Sequence, residues 1–121
     1  MKIKHITIGI KTVKEGLNEF KEAYKKTLLR KKAEKKEGLF FESVTALRSF
    51  LTPKRVELLR TIHRENPRSA YALAKLVHRD VKSVVTDLSI LKSFGLLVLE
   101  EEENHIRPWV DYDALRVEIA V

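Results

Sequence analysis

The sequence has no cysteine, only four glycines and three prolines, and no long apolar run in its 121 residues. The lack of cysteine excludes disulfides, thiolate chemistry and cysteine zinc sites, and it fits a reducing cytosol. A membrane-spanning helix needs about 18 or more apolar residues in succession, and the first residues also lack the apolar core of a signal peptide. We therefore expect a soluble, cytoplasmic protein with no membrane segment.

Sequence motifs for catalysis are absent as well. The four histidines, at positions 5, 63, 78 and 105, lie far apart, and none shows the spacing of a zinc-binding pair. Residues 78–80 read His-Arg-Asp like the start of a kinase catalytic loop, but the chain is too short for a kinase and has no glycine-rich phosphate loop. We expect His63 to be a core residue on or beside a buried helix face. The sequence predicts no enzyme, no metal site and no cofactor.

The net charge of +7 is unevenly distributed along the chain. Residues 1–38 contain twelve Lys or Arg and five Glu, residues 39–95 contain ten Lys or Arg and five Asp or Glu, and residues 96–121 contain two and seven. A DNA backbone would attract the first two regions and repel the third. Proteins from hot environments can have similar compositions, so charge alone does not identify the partner.

Residues 69–95 predict two helices joined by a three-residue turn. Ser69 and Asp80 stand at the N-cap positions of these helices, and Gly95 can adopt the positive φ that ends the second one. His78, in the turn, also tolerates positive φ better than most residues. The other face of the second helix is polar, which is typical of the recognition helix, here residues 80–94, of a helix-turn-helix. The expected buried residues are Leu73, Leu76 and Val77 on the first helix, and Val81, Val84, Leu88 and Leu91 on the second.

A third helix and a hairpin flank this pair. Thr52 can cap a helix in which Pro53 occupies the first position. Residues 96–99 are rich in β-forming side chains, and the chain returns through residues 105–110, which predicts a hairpin directly after the recognition helix. Three helices followed by a hairpin predict a winged helix-turn-helix over residues 44–110. The expected inner face of the upstream helix consists of Val56, Leu59, Ile62 and His63.

The residues before this region predict a separate strand-helix-strand element. Isoleucines alternate with other residues at positions 6, 8 and 10, as in a strand, and Thr12 begins a capping-box match for a helix. Residues 39–41 suggest a second short strand, residues 44–50 a linking helix, and residues 115–121 a terminal strand that could join the first two. The predicted class is therefore α+β. Its expected parts are an N-terminal element at 1–43, the winged helix-turn-helix at 44–110 and a C-terminal strand at 111–121.

Two features of the N-terminal element have alternative interpretations. Its apolar stripe packs either on the chain's own core or against a second copy, since helix-turn-helix proteins commonly pair two recognition helices on neighbouring half-sites. The lysine-rich run at 25–36 is either a solvated helix end or a nonspecific phosphate contact. The stripe consists of Val13, Leu17, Phe20, Tyr24 and Leu28.

The sequence resembles the short winged-helix transcriptional regulators that are common in archaea and their plasmids and are distantly related to MarR-like regulators. The resemblance covers nearly the whole chain after the first helix, and its most specific part is Leu-Thr-Pro-Lys-Arg at residues 51–55. It implies sequence-specific DNA binding by a regulator such as a repressor or an antitoxin-like protein. The other matching residues are Phe41, Glu42, Ser43, Leu47, Arg48, Leu58, Leu59, Arg60, Ala74, Lys75, Leu76, Arg79, Asp80, Asp87, Leu91, Gly95, Leu96, Arg107, Pro108, Tyr112 and Asp113.

Two classes of function remain open from the sequence. The first is a transcriptional regulator that binds double-stranded DNA as a homodimer. The second is a winged-helix protein-interaction module in a larger complex, which the four glutamates at 100–103 favour because DNA would repel them. For the first function, we expect Lys82, Ser83 and Thr86 to reach base edges. The full set of expected DNA-binding residues is Lys54, Ser69, Lys75, Arg79, Lys82, Ser83, Thr86, Ser89 and Arg107.

Overall fold

The computed structural model describes residues 4–11, 22 and 38–121. It is a mixed α+β structure, in agreement with the predicted class. The chain divides into two compact units, unit 1 (Met1–Phe50 with Ala114–Val121) and unit 2 (Leu51–Asp113). The predicted helix after Thr12, its apolar stripe and the lysine-rich run lie outside the described residues. The elements with described bounds are β1 (His5–Ile10), β2 (Gly38–Phe41), α1 (Val44–Phe50), α2 (Pro53–Glu65), α3 (Ala70–Leu76), α4 (Val81–Ser93), β3 (Val98–Glu102), β4 (His105–Trp109) and β5 (Ala114–Ile119).

Unit 1 contains a parallel three-stranded sheet with the strand order β2-β1-β5. Ile8 of β1 pairs with Leu39 of β2 on one side and with Val117 of β5 on the other. Side chains alternate between the two faces of a strand, so these paired residues share one apolar face. Ile8 is fully buried on it. The strands predicted at the two ends of the chain are therefore confirmed, and they are neighbours in one sheet.

Helix α1 follows β2 and packs against it. Its capping residue, Ser43, accepts a hydrogen bond on its hydroxyl oxygen from the N–H of Ala46 at 3.1 Å. At the other end of α1, the ring of Phe50 lies with its centroid 5.3 Å from that of Phe41 in β2. Tilted aromatic pairs at this separation are favourable beyond the area they bury. The short linking helix predicted at 44–50 is confirmed.

Unit 2 contains α2, α3, α4 and the antiparallel hairpin β3–β4. Each helix begins at its predicted cap: the side chains of Thr52, Ser69 and Asp80 accept hydrogen bonds from the backbone N–H three residues later. Each cap satisfies a donor that has no partner inside the helix, which contributes about 1 kcal/mol. The core of unit 2 includes Leu58, Leu59, Ile62, Leu73, Ala74, Val84, Leu88, Leu91, Leu96, Leu97 and Pro108.

Two side chains expected in the core of unit 2 are exposed instead. The prediction of a buried His63 is wrong, because α2 turns Leu58 and Thr61 inward. The His63 side chain is exposed, with Nε2 2.9 Å from Oδ1 of Asp113. Leu76, in the last turn of α3, is 48% exposed, so it also lies outside the core. Val56, Val77 and Val81 are only partly buried.

Candidate nucleic-acid interface

The turn between α3 and α4 fixes the start of α4. His78 adopts a left-handed conformation with φ of 54°, as its tolerance of positive φ predicted. The backbone N–H of Arg79 donates to the carbonyl of Ala74 at 3.0 Å. The carboxylate of Asp80 then accepts from the N–H of Ser83 at 3.2 Å and caps α4. These contacts determine the direction in which α4 leaves the turn.

Helix α4 is anchored along one face and at its C-terminus. Val84, Leu88 and Leu91 are almost completely buried, as predicted. Gly95 takes a φ of +77°, and the N–H of Leu96 donates to the carbonyl of Leu91 at 3.0 Å. Full burial of a side chain of this size contributes about 1.5–3 kcal/mol. Helix α4 therefore cannot rotate about its axis without exposing the core.

The face of α4 opposite the core is polar and exposed, as predicted. Lys82, Thr86 and Ser89 follow one another at spacings of four and three, so they form one stripe along the helix. Ser83 is also exposed, but it lies about 100° around the helix axis from Lys82. The Thr86 hydroxyl donates to the carbonyl of Lys82 at 3.0 Å. Its proton is therefore used inside the helix, and its oxygen is free to accept.

An ion-paired cluster holds α4 to α2 and to the preceding turn. Oδ1 of Asp87, on the flank of α4, lies 3.0 Å from Nε of Arg55, and Oδ2 lies 2.7 Å from Nη2 of Arg79. The three side chains are only 14–17% exposed. Arg79 was expected to contact DNA, but the structure directs it inward to Asp87. Its Nη1 is buried with no hydrogen-bond partner in the described part of the chain.

The same cluster sets the charge state of Asp87. Burial raises the pKa of this carboxyl, but the hydrogen bonds from Arg79 and Arg55 and their positive charges outweigh it. The pKa of Asp87 is therefore lowered from its usual value. The carboxylate stays charged at neutral pH and joins the start of α2 to the middle of α4. Asp87 is accordingly a positioning residue for the exposed stripe.

The other expected DNA contacts on the helices differ in their exposure to solvent and in whether their polar groups already have a partner. Lys54, in the first turn of α2, is exposed. Lys75 is exposed on α3, with its Nζ 4.7 Å from the ring centroid of Tyr71. The Ser69 hydroxyl is only partly exposed and accepts from the N–H of Ala72 at 3.0 Å. Ser69 therefore acts first as the cap of α3, whereas both lysines present their charge to solvent.

Two of the four hairpin glutamates contact a residue on the opposite strand. Nη1 of Arg107 lies 3.5 Å from Oε2 of Glu100, and Nε2 of His105 lies 2.8 Å from Oε2 of Glu102. Both pairs match the strand register, in which residue 100 is opposite 107 and residue 102 is opposite 105. Arg107, an expected DNA contact, is thus already paired. The other two glutamates, at 101 and 103, form no ion pair with a residue that the structure describes.

A polar cleft lies between the α2–α3 connection and the hairpin. It has a volume of about 620 Å³ and brings together two expected residues, Ser69 and Arg107. Sequence reasoning did not identify Arg68 here, although an arginine next to an N-cap residue is a usable signal for anion contact. It also missed Val85, which is exposed beside the polar stripe of α4. The full lining is Asn66, Arg68, Ser69, Glu102, His105 and Arg107.

Two other features are absent from residues 4–11, 22 and 38–121, the part of the chain that the structure describes. No three His, Asp or Glu side chains in these segments are grouped so that they could hold a metal ion. None of the helices in these segments is long and apolar enough to cross a membrane. The candidate interface consists of the exposed face of α4, Lys54, Lys75 and the residues that line the polar cleft.

Comparison with known protein families gives a match. The family model described as HVO_A0114 matches residues 50–117 of the chain. The match spans all of unit 2, including every residue of the candidate interface, and continues into β5. A search of curated proteins finds no match.

Proposed function

The chain belongs to the HVO_A0114 family, and we propose that it is a winged helix-turn-helix transcriptional regulator that binds specific sequences in double-stranded DNA. In this proposal α3 and α4 are the helix-turn-helix, α4 is the recognition helix and the β3–β4 hairpin is the wing. The order of three helices followed by a hairpin supports the assignment. It agrees with the resemblance to short archaeal regulators of the MarR-like type.

The observation that carries the proposal is the exposed stripe of Lys82, Thr86 and Ser89 on a rigidly held helix. Base edges in the major groove are read by short polar side chains and by charged donors, and thymine offers a methyl group. The stripe supplies the first two kinds of group, and the exposed Val85 beside it supplies an apolar contact. A face built to dock a protein would be expected to carry aromatic or methionine anchors. Helix α4 contains neither.

Exposed cations outside the stripe have a different role in this proposal. Lys54 and Lys75 are exposed cations on α2 and α3, and they would contact phosphates without reading sequence. Arg68, which lines the polar cleft, is a third candidate. Each phosphate contact contributes about 0.9 to the slope of log affinity against log salt. Three such cations therefore correspond to a slope of about −3 per protomer.

Salt-dependent binding to a random duplex, followed by selection of bound sites from a random library, tests the proposal. We expect measurable binding that weakens with salt, and a selected sequence bound at least 10³-fold more tightly than random DNA, roughly the lower end for specific binders. The variant K54A/K75A should weaken binding to all sequences alike and flatten the salt slope by about 2. The matched control is K92A, which removes an exposed lysine from the last turn of α4 and should leave binding unchanged.

A protein-interaction module is the second candidate, and the acidic hairpin favours it. The hairpin also exposes Val98 and Ile106, which are 41% and 38% exposed. If this candidate is correct, selection enriches no sequence, and any binding at low salt that comes from the net charge of +7 is equal for all DNA sequences. In that case the exposed polar face of α4 has another role and the DNA-binding proposal is wrong.

The wing should oppose DNA binding rather than support it. Glu101 and Glu103 are not neutralised by an ion pair among the described residues, so they repel phosphates across solvent. We expect E101Q/E103Q to increase DNA affinity about two- to fivefold at low salt, with a smaller gain as salt screens the repulsion. The matched control E42Q/E57Q removes two exposed carboxylates outside the hairpin. A loss of binding in the hairpin variant would show that these carboxylates make specific contacts, for instance with cytosine amino groups.

A further inference from the structure

Strand β5 lies at one edge of the sheet that the structure describes. In unit 1 it pairs with β1 along one edge and has no strand on the other in the described sheet. The N–H of Ala114 donates to the carbonyl of Lys4, so the backbone of Ala114 points toward β1. Backbone N–H and C=O groups alternate in direction along a strand. Leu115, Val117 and Ile119 therefore point their N–H and C=O groups to the free edge.

The side chains of β5 also leave an apolar surface uncovered. Val117 and Ile119 are in register with Ile8 and Ile10 of β1 and share a face with them. The two β1 residues are buried, whereas Val117 is 49% exposed and Ile119 is 53% exposed. The apolar face of the sheet therefore continues beyond its covered part and ends at an open edge. Such an edge is a template for pairing with another chain.

We propose that β5 pairs antiparallel with β5 of a second copy of this chain, across a two-fold axis at Val117. Val117 then lies opposite Val117 of the second copy, and Leu115 lies opposite Ile119. On the other face of the sheet, Arg116 of each copy lies opposite Glu118 of the other copy, which gives two equivalent pairs. Two three-stranded sheets thereby become one continuous six-stranded sheet.

Charge selects this register over its neighbours. An axis at residue 116 would place two arginines opposite each other, and an axis at residue 118 would place two glutamates opposite each other. An axis between residues would match the apolar face of one strand with the charged face of the other. Only the axis at Val117 gives apolar pairs on one face and two opposite-charge pairs on the other. Like charges directly opposite in a ladder are destabilising, and opposite charges are favourable.

The backbone directions agree with the same register. In an antiparallel ladder, residues that face the partner strand form hydrogen-bonded pairs, and the residues between them form pairs with a shorter Cα separation, about 4.5 Å. With the axis at Val117, the three outward-facing residues form the hydrogen-bonded pairs. Arg116 and Glu118 occupy the closer pairs, which suits an ion pair. A two-fold contact of this kind closes on itself, so it gives a dimer rather than a fibre.

This pairing does not depend on DNA binding, and it refines the homodimer expected from the sequence. If the DNA-binding proposal also holds, a two-fold dimer predicts that the selected site is an inverted repeat. Sedimentation equilibrium without DNA tests the pairing by itself. A failure of dimerisation therefore leaves the assignment of α4 as the recognition helix untouched.

A charge exchange across the axis is the first test. The wild-type chain is expected to sediment at twice the 14.0 kDa protomer mass. R116E and E118R each create like charges opposite each other at two places, so each should raise the dimer dissociation constant about tenfold or more. The double variant R116E/E118R restores opposite charges and should return to within about threefold of wild type. The control R64E makes the same charge change at an exposed site in unit 2 and should not alter the mass.

The proposal fails if the wild type remains a 14.0 kDa monomer at all concentrations. It also fails if the single variants dimerise as well as wild type, or if the double variant does not recover. Arg116 and Glu118 are exposed, so we expect their substitution to leave the fold intact. Each of these results therefore reports on dimerisation and not on folding. Circular dichroism of each variant checks that the fold is retained.

Cross-linking tests the register directly, because the natural chain has no cysteine. In the proposed dimer, residue 116 of one copy lies next to residue 118 of the other, within the Cα range of a disulfide. A mixture of R116C and E118C should therefore form a disulfide-linked dimer on mild oxidation, and neither variant should do so alone. Efficient linkage of either variant alone would place the axis elsewhere. No linkage in the mixture would refute the pairing.

Discussion

Replacing Asp87 with asparagine is expected to lower the free energy of unfolding by about 2–4 kcal/mol. The carboxylate is the shared partner of Arg55 and Arg79, and the exposed fractions of all three side chains are between 14% and 17%. The neutral amide would remove this shared counter-charge from two poorly solvated guanidinium groups. The free-energy cost is larger than that of breaking a surface ion pair. It is smaller than that of breaking a fully buried pair, because some solvent reaches the site. Urea denaturation at pH 7 measures the difference.

The effect of D87N should also depend on pH in a defined direction. The pKa of Asp87 is lower in the folded protein than in the unfolded chain, where it is 3.8. The charged form therefore stabilises the fold at pH values above the unfolded pKa, and this contribution is lost as pH falls through the folded pKa. The stability difference between wild type and D87N should be full at pH 6–7 and should shrink below about pH 4. A difference that is equal at pH 7 and pH 3 would show that packing, and not charge, is responsible.

D80N is the matched control for this prediction. Asp80 is an exposed N-cap seven residues before Asp87, and asparagine caps helices about as well as aspartate. D80N should therefore change the free energy of unfolding by less than about 0.5 kcal/mol. If D80N and D87N were equally destabilising, the loss of a negative charge near the start of α4 would explain both. The Arg55–Asp87–Arg79 cluster would then have no special role.

The helices of unit 2 could be predicted because their signals are local. A cap such as Thr52 or Ser69 acts on a backbone N–H only three residues away, so a short stretch of sequence contains both partners. The same is true of Gly95, whose positive φ depends on its own missing side chain. The β-forming runs around the acidic segment predicted the hairpin for a similar reason. The helices and the hairpin of unit 2 could therefore be predicted from the sequence alone.

The predictions that were incorrect concern side chains whose environment is set by distant residues. His63 lies on the boundary between the buried and exposed faces of α2, and its partner, Asp113, is 50 residues away. Arg79 resembles a surface cation in the sequence, yet it pairs with a carboxylate that also binds Arg55. Helical periodicity identifies the centre of a buried face well but not its edges. Tertiary contacts decide whether the side chains at these edges are buried or exposed.

The sheet of unit 1 shows a second limit of sequence reasoning. Alternating isoleucines predicted β1, and a similar alternation predicted β5. Neither pattern predicts which residues of the two strands pair with each other. His5 pairs with Ala114, which is more than one hundred residues later in the chain. Likewise, the exposed stripe of α4 was predicted in full, whereas the polar cleft beside Arg68 was not. The stripe lies on one helix, and the cleft needs two separate segments to meet.

The largest effect on DNA recognition is expected from Thr86 together with Ser83. Both are exposed in the half of α4 that would enter the major groove. The Thr86 hydroxyl already donates to the carbonyl of Lys82, so toward DNA it can act only as an acceptor. An acceptor suits the amino groups of adenine and cytosine, while the threonine methyl suits thymine. We expect S83A/T86A to reduce the preference for the selected site over random DNA by about 1–3 kcal/mol for each base that the alanines no longer read.

Single exchanges at residue 86 separate the two kinds of interaction. T86V keeps a methyl group and removes the acceptor, whereas T86S keeps the hydroxyl and removes the methyl. A larger loss of preference in T86V identifies an amino group as the partner, and a larger loss in T86S identifies thymine. S93A is the control, because Ser93 continues the same face of α4 near its C-terminus, away from the end that we propose reads bases. Competition titrations of selected against random duplex measure all four variants, and an unchanged preference in S83A/T86A would mean that this face of α4 does not read the sequence.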